Sequence, residues 1–205
     1  MSQPPIPPVG IVLAAGAGFR YGTPKALVHD DAGTPWLALA TRTLLAAGCD
    51  PILVVLGAAP EAAALVPADE RMSVLVAADW RRGLHASLRT ALAAALELPD
   101  PLPQAALITL VDLPGLPLAA ALRVSHGHEG DPGALRRAGY GGRPGHPVLI
   151  GRDHWRPLAD SLADGPDSDA GARDYIEAHG GVLVDCGDLW DGRDIDRPAQ
   201  PDPTG

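Results

Sequence analysis

The stretch LAAGAGFRYGTPKAL, Leu13 to Leu27, places three glycines, an arginine, a lysine and a proline directly after the apolar run Val9 to Leu13. Residues of these types in this order can cradle an anion. Gly16 and Gly18 let the backbone turn tightly, so that successive N–H groups face a phosphate with no Cβ in the way. Arg20 and Lys25 supply charge, while Pro24 stops a helix from starting early and stiffens the approach to Lys25. The spacing from Gly16 through Gly18 to Gly22 is GxGxxxG, not GxGxxG, and no GxxxxGK[ST] is present, so two familiar phosphate loops are excluded. Further along, Asp112 ends the run ALITLV and is followed by Pro114 and Gly115. A carboxylate there either serves a turn or holds Mg2+, which binds through one or two carboxylates plus substrate phosphates. His146 is a hydrogen-bonding group or a cation near neutral pH, or a structural histidine before a strand. Asp169 and Arg173 are four apart, which fits a helical ion pair as well as an anion grip by Arg173.

These groups need elements to position them. Short apolar runs recur at Val9–Ala14, Pro51–Gly57, Ser73–Ala77, Ala106–Val111, His146–Gly151 and Gly181–Cys186. Each holds four to six apolar residues with little alternation, the pattern of strands covered on both faces. Helix-length segments lie between several of them, at Trp36–Ala47, Leu84–Glu97 and Ala170–His179. The succession predicts an α/β fold, Rossmann-like and three-layered, with a mostly parallel sheet and crossover helices. In such sheets ligands bind beyond the carboxyl ends of the strands, which puts Asp112 over the same cleft as the glycine loop. The glycine-rich stretch Ser125–Pro144 reads as an active-site loop or flap.

Composition bounds the partners. A chain of 205 residues with 46% hydrophobic residues fits one domain, expected over residues 9–198 between flexible ends at 1–8 and 199–205. A net charge of −9 argues against a nucleic-acid or anionic-membrane surface, so any anion site is local. Cys49 and Cys186 show no metal-type spacing and fit free thiols in a reducing compartment. There is no basic, apolar leader and no apolar stretch of the roughly 20 residues that a spanning helix needs, so a cytoplasmic location is expected.

The motif LAAGxGxRxGxPK after a first strand resembles the signature of the MobA/MocA-like nucleotidyltransferases that handle the molybdenum cofactor. The resemblance runs in order from Val9 to about Pro198, in five segments. It implies the nucleotide-diphospho-sugar transferase type of fold and transfer of a nucleotidyl group from a nucleoside triphosphate to a phosphorylated acceptor. On it, Leu13, Ala14, Ala15, Gly16, Gly18, Arg20 and Lys25 form the triphosphate loop, and Asp112 matches the metal-binding "DxP" element. Asp194 and Asp196 lie in DGRDIDRPA, similar to a closing DIDTP; Asp196 is taken as the second Mg2+ contact, with one of the pair expected to face the cleft. ADWRRGLHASLRTAL resembles a nucleotide-side segment, which assigns Asp79, Gly83 and Ser87 to the nucleotide. His85 departs from the small residue usual there and is read as exposed or packed. GGRPGHPVLIG and SDAGARDYI resemble acceptor-side segments and imply His146 and Arg173 as acceptor contacts, with Ser168 replacing a usual glycine.

The same resemblance implies a molybdopterin-like acceptor, with a molybdoenzyme or its chaperone as a further partner. Members that transfer GMP carry LAGG where this chain has LAAG; the Ala15 methyl fills space a purine would use, which leans towards CTP. Three other readings remain open on the same fold: transfer to a different phosphorylated acceptor, NAD(P)H-dependent reduction of a quinone-like compound, or non-catalytic nucleotide binding by a regulator or chaperone of molybdoenzymes.

Overall fold

The computed structural model describes residues 6–164 and 170–197. The remaining terminal residues, with Ser168 and Asp169, lie outside the described residues. Seven strands form one sheet in the order β3-β2-β1-β4-β6-β5-β7. They are β1 (Val9–Ala14), β2 (Ile52–Leu56), β3 (Met72–Val76), β4 (Ala105–Leu110), β5 (Leu135–Tyr140), β6 (Arg143–Gly151) and β7 (Val182–Asp185). Only β6 runs against its neighbours, antiparallel to both β4 and β5, so the sheet is mostly parallel.

Alternation along the central strands sends side chains to two apolar layers, which is why these strands read as continuous apolar runs. On one face Val12, Val54 and Leu107 pack with α1 (Trp36–Ala46) and α3 (Leu118–Ser125), through Leu37, Leu44 and Val124. On the other, Ile11, Leu13, Val55 and Ile108 meet α2 (Leu84–Leu96), α4 (Trp155–Asp164) and α5 (Ala170–Ala178). Trp155, fully buried, donates its indole N–H to the Ile150 carbonyl at 2.9 Å, so its polar edge is satisfied inside the core.

The six strands expected from the sequence are all present, and the expected helices are α1, α2 and α5. The stretch read as a loop or flap, Ser125–Pro144, instead contributes β5 and the start of β6. Its Arg137 is buried in the strand because the guanidinium donates to Glu177 Oε1 at 2.8 Å. Cys49 and Cys186 are both free, as expected, and both are buried. No helix among the described residues is long and apolar enough to cross a membrane.

Candidate active site

The carboxyl ends of the two central strands β1 and β4 open into a cavity of about 420 Å³. β1 delivers the chain into Ala15–Gly18, where the Ala15 carbonyl accepts the Ala58 N–H at 3.0 Å and ties the loop to the end of β2. Gly57 makes this junction possible: a Cβ added there would lie 2.6 Å from Trp80 Cβ and 2.8 Å from Ala15 Cβ. Ala15 and Trp80 therefore close on one another over Gly57 and form one wall of the cavity.

The loop then doubles back. The Gly18 carbonyl accepts the N–H groups of Tyr21 at 2.9 Å and Gly22 at 2.8 Å, and Gly18 itself has φ +65°. After Pro24 a single helical turn, Lys25–Leu27, aims Lys25 back into the cavity. Its ammonium donates to Asp112 Oδ2 at 2.9 Å and to Asp196 Oδ1 at 2.8 Å. Arg20 donates to the other Asp196 oxygen at 3.0 Å. Asp196 is brought across 84 residues of chain because the Ile195 N–H donates to the Asp112 carbonyl at 3.1 Å, stitching the closing segment to the end of β4.

Burial would lower the Lys25 pKa, but the hydrogen bonds to Asp196 and Asp112 outweigh it and raise the value above the usual lysine range. The Lys25 and Arg20 donors hold the Asp196 carboxyl below the usual carboxylate range. Asp112 Oδ1 is buried with no hydrogen-bond partner among the described residues, a costly state for an anion that has no further ligand. One carboxylate oxygen from each of Asp112, Asp194 and Asp196 lies within 4.8 Å of the others. Oxygen donors of this kind and number suit a hard divalent cation, so the site fits the metal that the resemblance implies. Asp194 joins the cluster from an exposed position, while of the pair only Asp196 lines the cavity.

Leu13, Ala14, Ala15, Gly16, Gly18, Arg20, Lys25, Gly83, Ser87, Asp112 and Asp196 all line the cavity. Three expected site residues do not. Asp79 turns away to accept a hydrogen bond from Arg89. Arg173 is exposed on α5. His146 precedes a cis peptide to Pro147, and its carbonyl accepts the Tyr140 hydroxyl at 2.8 Å. Burial pushes the His146 imidazole down to about 4, so it is neutral at pH 7 and offers a hydrogen bond but no positive charge. His85 is 4% exposed and packed into α2.

Phe19, Tyr21, Trp80, Arg81 and Leu84 also line the cavity, unforeseen from sequence. The Arg81 guanidinium lies 4.7 Å above the Trp80 ring, a cation–π contact that presents a cationic edge opposite the glycine loop. Phe19, the one phenylalanine in the chain, is 91% exposed at the loop tip. The only local signal for Trp80 and Arg81 is their place in DWRRG, beside Gly83.

A family model, the MobA-like NTP transferase domain, matches residues 10–182. A curated relative, nicotine blue oxidoreductase from Paenarthrobacter nicotinovorans, is 34% identical over 201 residues, 93% of each chain. Among solved structures, Rv0371c from Mycobacterium tuberculosis H37Rv superposes with a TM-score of 0.72 at 27% identity, covering 93% of each chain. A complex of Rv0371c with manganese gives a TM-score of 0.64 at 25% identity over 88% of this chain and 89% of that one.

Proposed function

The chain belongs to the MobA-like NTP transferase domain family, a nucleotidyltransferase family, and from that premise we propose that it is a divalent-metal-dependent cytidylyltransferase acting on a phosphorylated, molybdopterin-like acceptor. The observation that carries the reading is the convergence of Lys25, Arg20, Asp112 and Asp196 on one cavity beneath a glycine loop.

In this reading a terminal phosphate oxygen of the acceptor attacks the α-phosphorus of CTP in line with the α–β bridging oxygen; that bridging bond breaks and pyrophosphate leaves. The protein's part is positioning and charge, because phosphoryl-type transfer needs little covalent help. Amides of Gly16, Ala17 and Gly18, with Arg20, hold the β and γ phosphates. Lys25 moves to the α-phosphate, where negative charge builds up as the new bond forms. Asp112, Asp194 and Asp196 would hold Mg2+ or Mn2+, which when bound neutralises phosphate charge and orients the reacting oxygens. Gly83 and Ser87 face the nucleoside; the Ala15 methyl, backed by Gly57, favours a pyrimidine over a purine. His146 and Arg173, outside the cavity, are assigned to the acceptor side, with His146 acting as a neutral hydrogen-bonding group.

One observation favours a second reading: the 34% identical relative is an oxidoreductase. A nicotinamide-dependent reductase would use the same cleft for its dinucleotide, but hydride transfer has no need of two carboxylates gathered on a lysine. Thermal-shift titration with CTP, GTP, NADH and NADPH, with and without Mg2+, separates the two, because a specific ligand raises the melting temperature by mass action. A Mg2+-dependent preference for CTP that disappears in Asp112→Ala supports transfer. A shift with NADPH alone, indifferent to Mg2+ and to Asp112, replaces the transferase with the reductase.

A further inference from the structure

Lys25 has an unusual double attachment. Its ammonium sits 2.9 Å from Asp112 Oδ2 and 2.8 Å from Asp196 Oδ1, while the Lys25 and Asp112 side chains are only 14% and 18% exposed. These are two of the three carboxylates able to share a cation. A lysine that simply waited for phosphate would be expected to point its charge at the glycine loop; here it is spent on the metal-binding acids instead.

We propose that Lys25 is the resident cation of the acid cluster, excluding a divalent ion until a bound nucleotide draws its ammonium away. A divalent ion bonded at about 2.1 Å to Asp112 Oδ2 would stand within roughly 5 Å of the ammonium as it now lies. At that range, in a partly buried site, a dication and an ammonium repel strongly. The ion would also draw on Asp112 and Asp196, the two carboxylates that Lys25 now engages. Lys25 can leave only where another anion receives it, since a half-buried ammonium stripped of its partners carries a desolvation cost. The phosphates of a nucleotide on the adjacent loop are such an anion. Metal and nucleotide therefore bind with positive coupling, and by linkage each raises the affinity of the other by the same factor. Asp112 Oδ1, buried and without a partner, remains ready for the ion throughout. The device also gives Asp112 and Asp196 a counter-charge when no ligand is bound.

This inference rests on the nucleotidyltransferase reading only for the ligand that draws Lys25 away; the competition between lysine and metal is testable without it. The experiment is titration of Mn2+ alone, followed by electron paramagnetic resonance of the free ion, into the full chain and into Lys25→Met, Lys25→Gln and Lys25→Arg. Lys25→Gln keeps one hydrogen bond to the acids and stands in if Lys25→Met does not fold. The proposal expects the uncharged variants to bind Mn2+ at least tenfold more tightly than the parent, and Lys25→Arg to bind as weakly as the parent. Equal affinity of parent and uncharged variants, or binding undetectable in both, overturns it. So does Lys25→Arg binding as tightly as Lys25→Gln, since charge would then not be the barrier. CTP binding is measured separately by calorimetry; its absence counts against the nucleotide reading and leaves the Mn2+ comparison intact.

Discussion

Gly18→Ala tests whether the loop geometry, and not merely its composition, sets the site. Gly18 has φ +65°, and an added Cβ would lie 1.8 Å from the Thr23 carbonyl oxygen, 2.7 Å from its carbon and 3.2 Å from Pro24 Cα. All three are backbone atoms, so no side chain can swing aside. Holding alanine in the left-handed region costs about 1–2 kcal/mol, and relieving the contact means opening the turn closed by the Tyr21 and Gly22 N–H groups. Because the loop is largely exposed and can refold locally, the stability loss is expected to stay near 2 kcal/mol, a drop of roughly 4–8 °C in Tm for a chain of this size. Function should suffer more. Thr23 and Pro24 lead straight into Lys25, and misplacing a catalytic group by about 1 Å costs on the order of 100-fold. Gly16→Ala is the control for stability: its Cβ would meet nothing within 4 Å, so its melting temperature should stay within about 1 °C of the parent. Scanning calorimetry and CTP affinity are read on both variants. A Gly18→Ala protein that melts and binds CTP like the parent would refute the steric reasoning.

Other expectations follow from the same geometry. Ala15→Gly removes the methyl that meets Gly57 and should narrow the preference for CTP over GTP by about tenfold, the value of one methyl in a fitted pocket, measured as a ratio of dissociation constants. His146, half-buried and neutral with its pKa pushed down to about 4, leaves the unfolded chain binding more protons between that pH and about 6.5. Stability should therefore fall as pH drops through that window, and His146→Gln should flatten the fall by up to about 1.4 kcal/mol per pH unit in denaturant melts compared across pH. Trp155→Ala empties a fully buried site and removes the indole hydrogen bond to the Ile150 carbonyl, and is expected to cost about 3–5 kcal/mol in urea unfolding.

The central strands were legible because parallel strands covered on both faces must be apolar almost throughout, as VGIVLA and ILVVL are. β5 hid because LRRAGY carries two arginines and a glycine. Arg137 is tolerated only through Glu177, 40 residues away, and Arg136 through the Val124 carbonyl at 2.9 Å. α4 hid behind Pro157 and three charged residues, though Trp155, Leu158 and Leu162 form its buried stripe. The loop with Lys25 and Asp112 could be read because the phosphate chemistry and the strand ends are local features. The Trp80–Arg81 wall, the double attachment of Lys25 and the entry of Asp194 depend on the Ile195 to Asp112 stitch and on packing over Gly57, which no local pattern encodes.

The most direct test of the account is a crystal structure of the protein grown with Mn2+ and a CTP analogue that cannot be cleaved between its α and β phosphorus atoms, with anomalous data collected for manganese. The account predicts a manganese peak bonded to Asp112 and Asp196, the triphosphate on the Gly16–Arg20 loop, and the Lys25 ammonium moved from the carboxylates to the α-phosphate. A nucleotide bound elsewhere, or a triphosphate in the cavity with Lys25 still on Asp112 and no manganese among the acids, would contradict it.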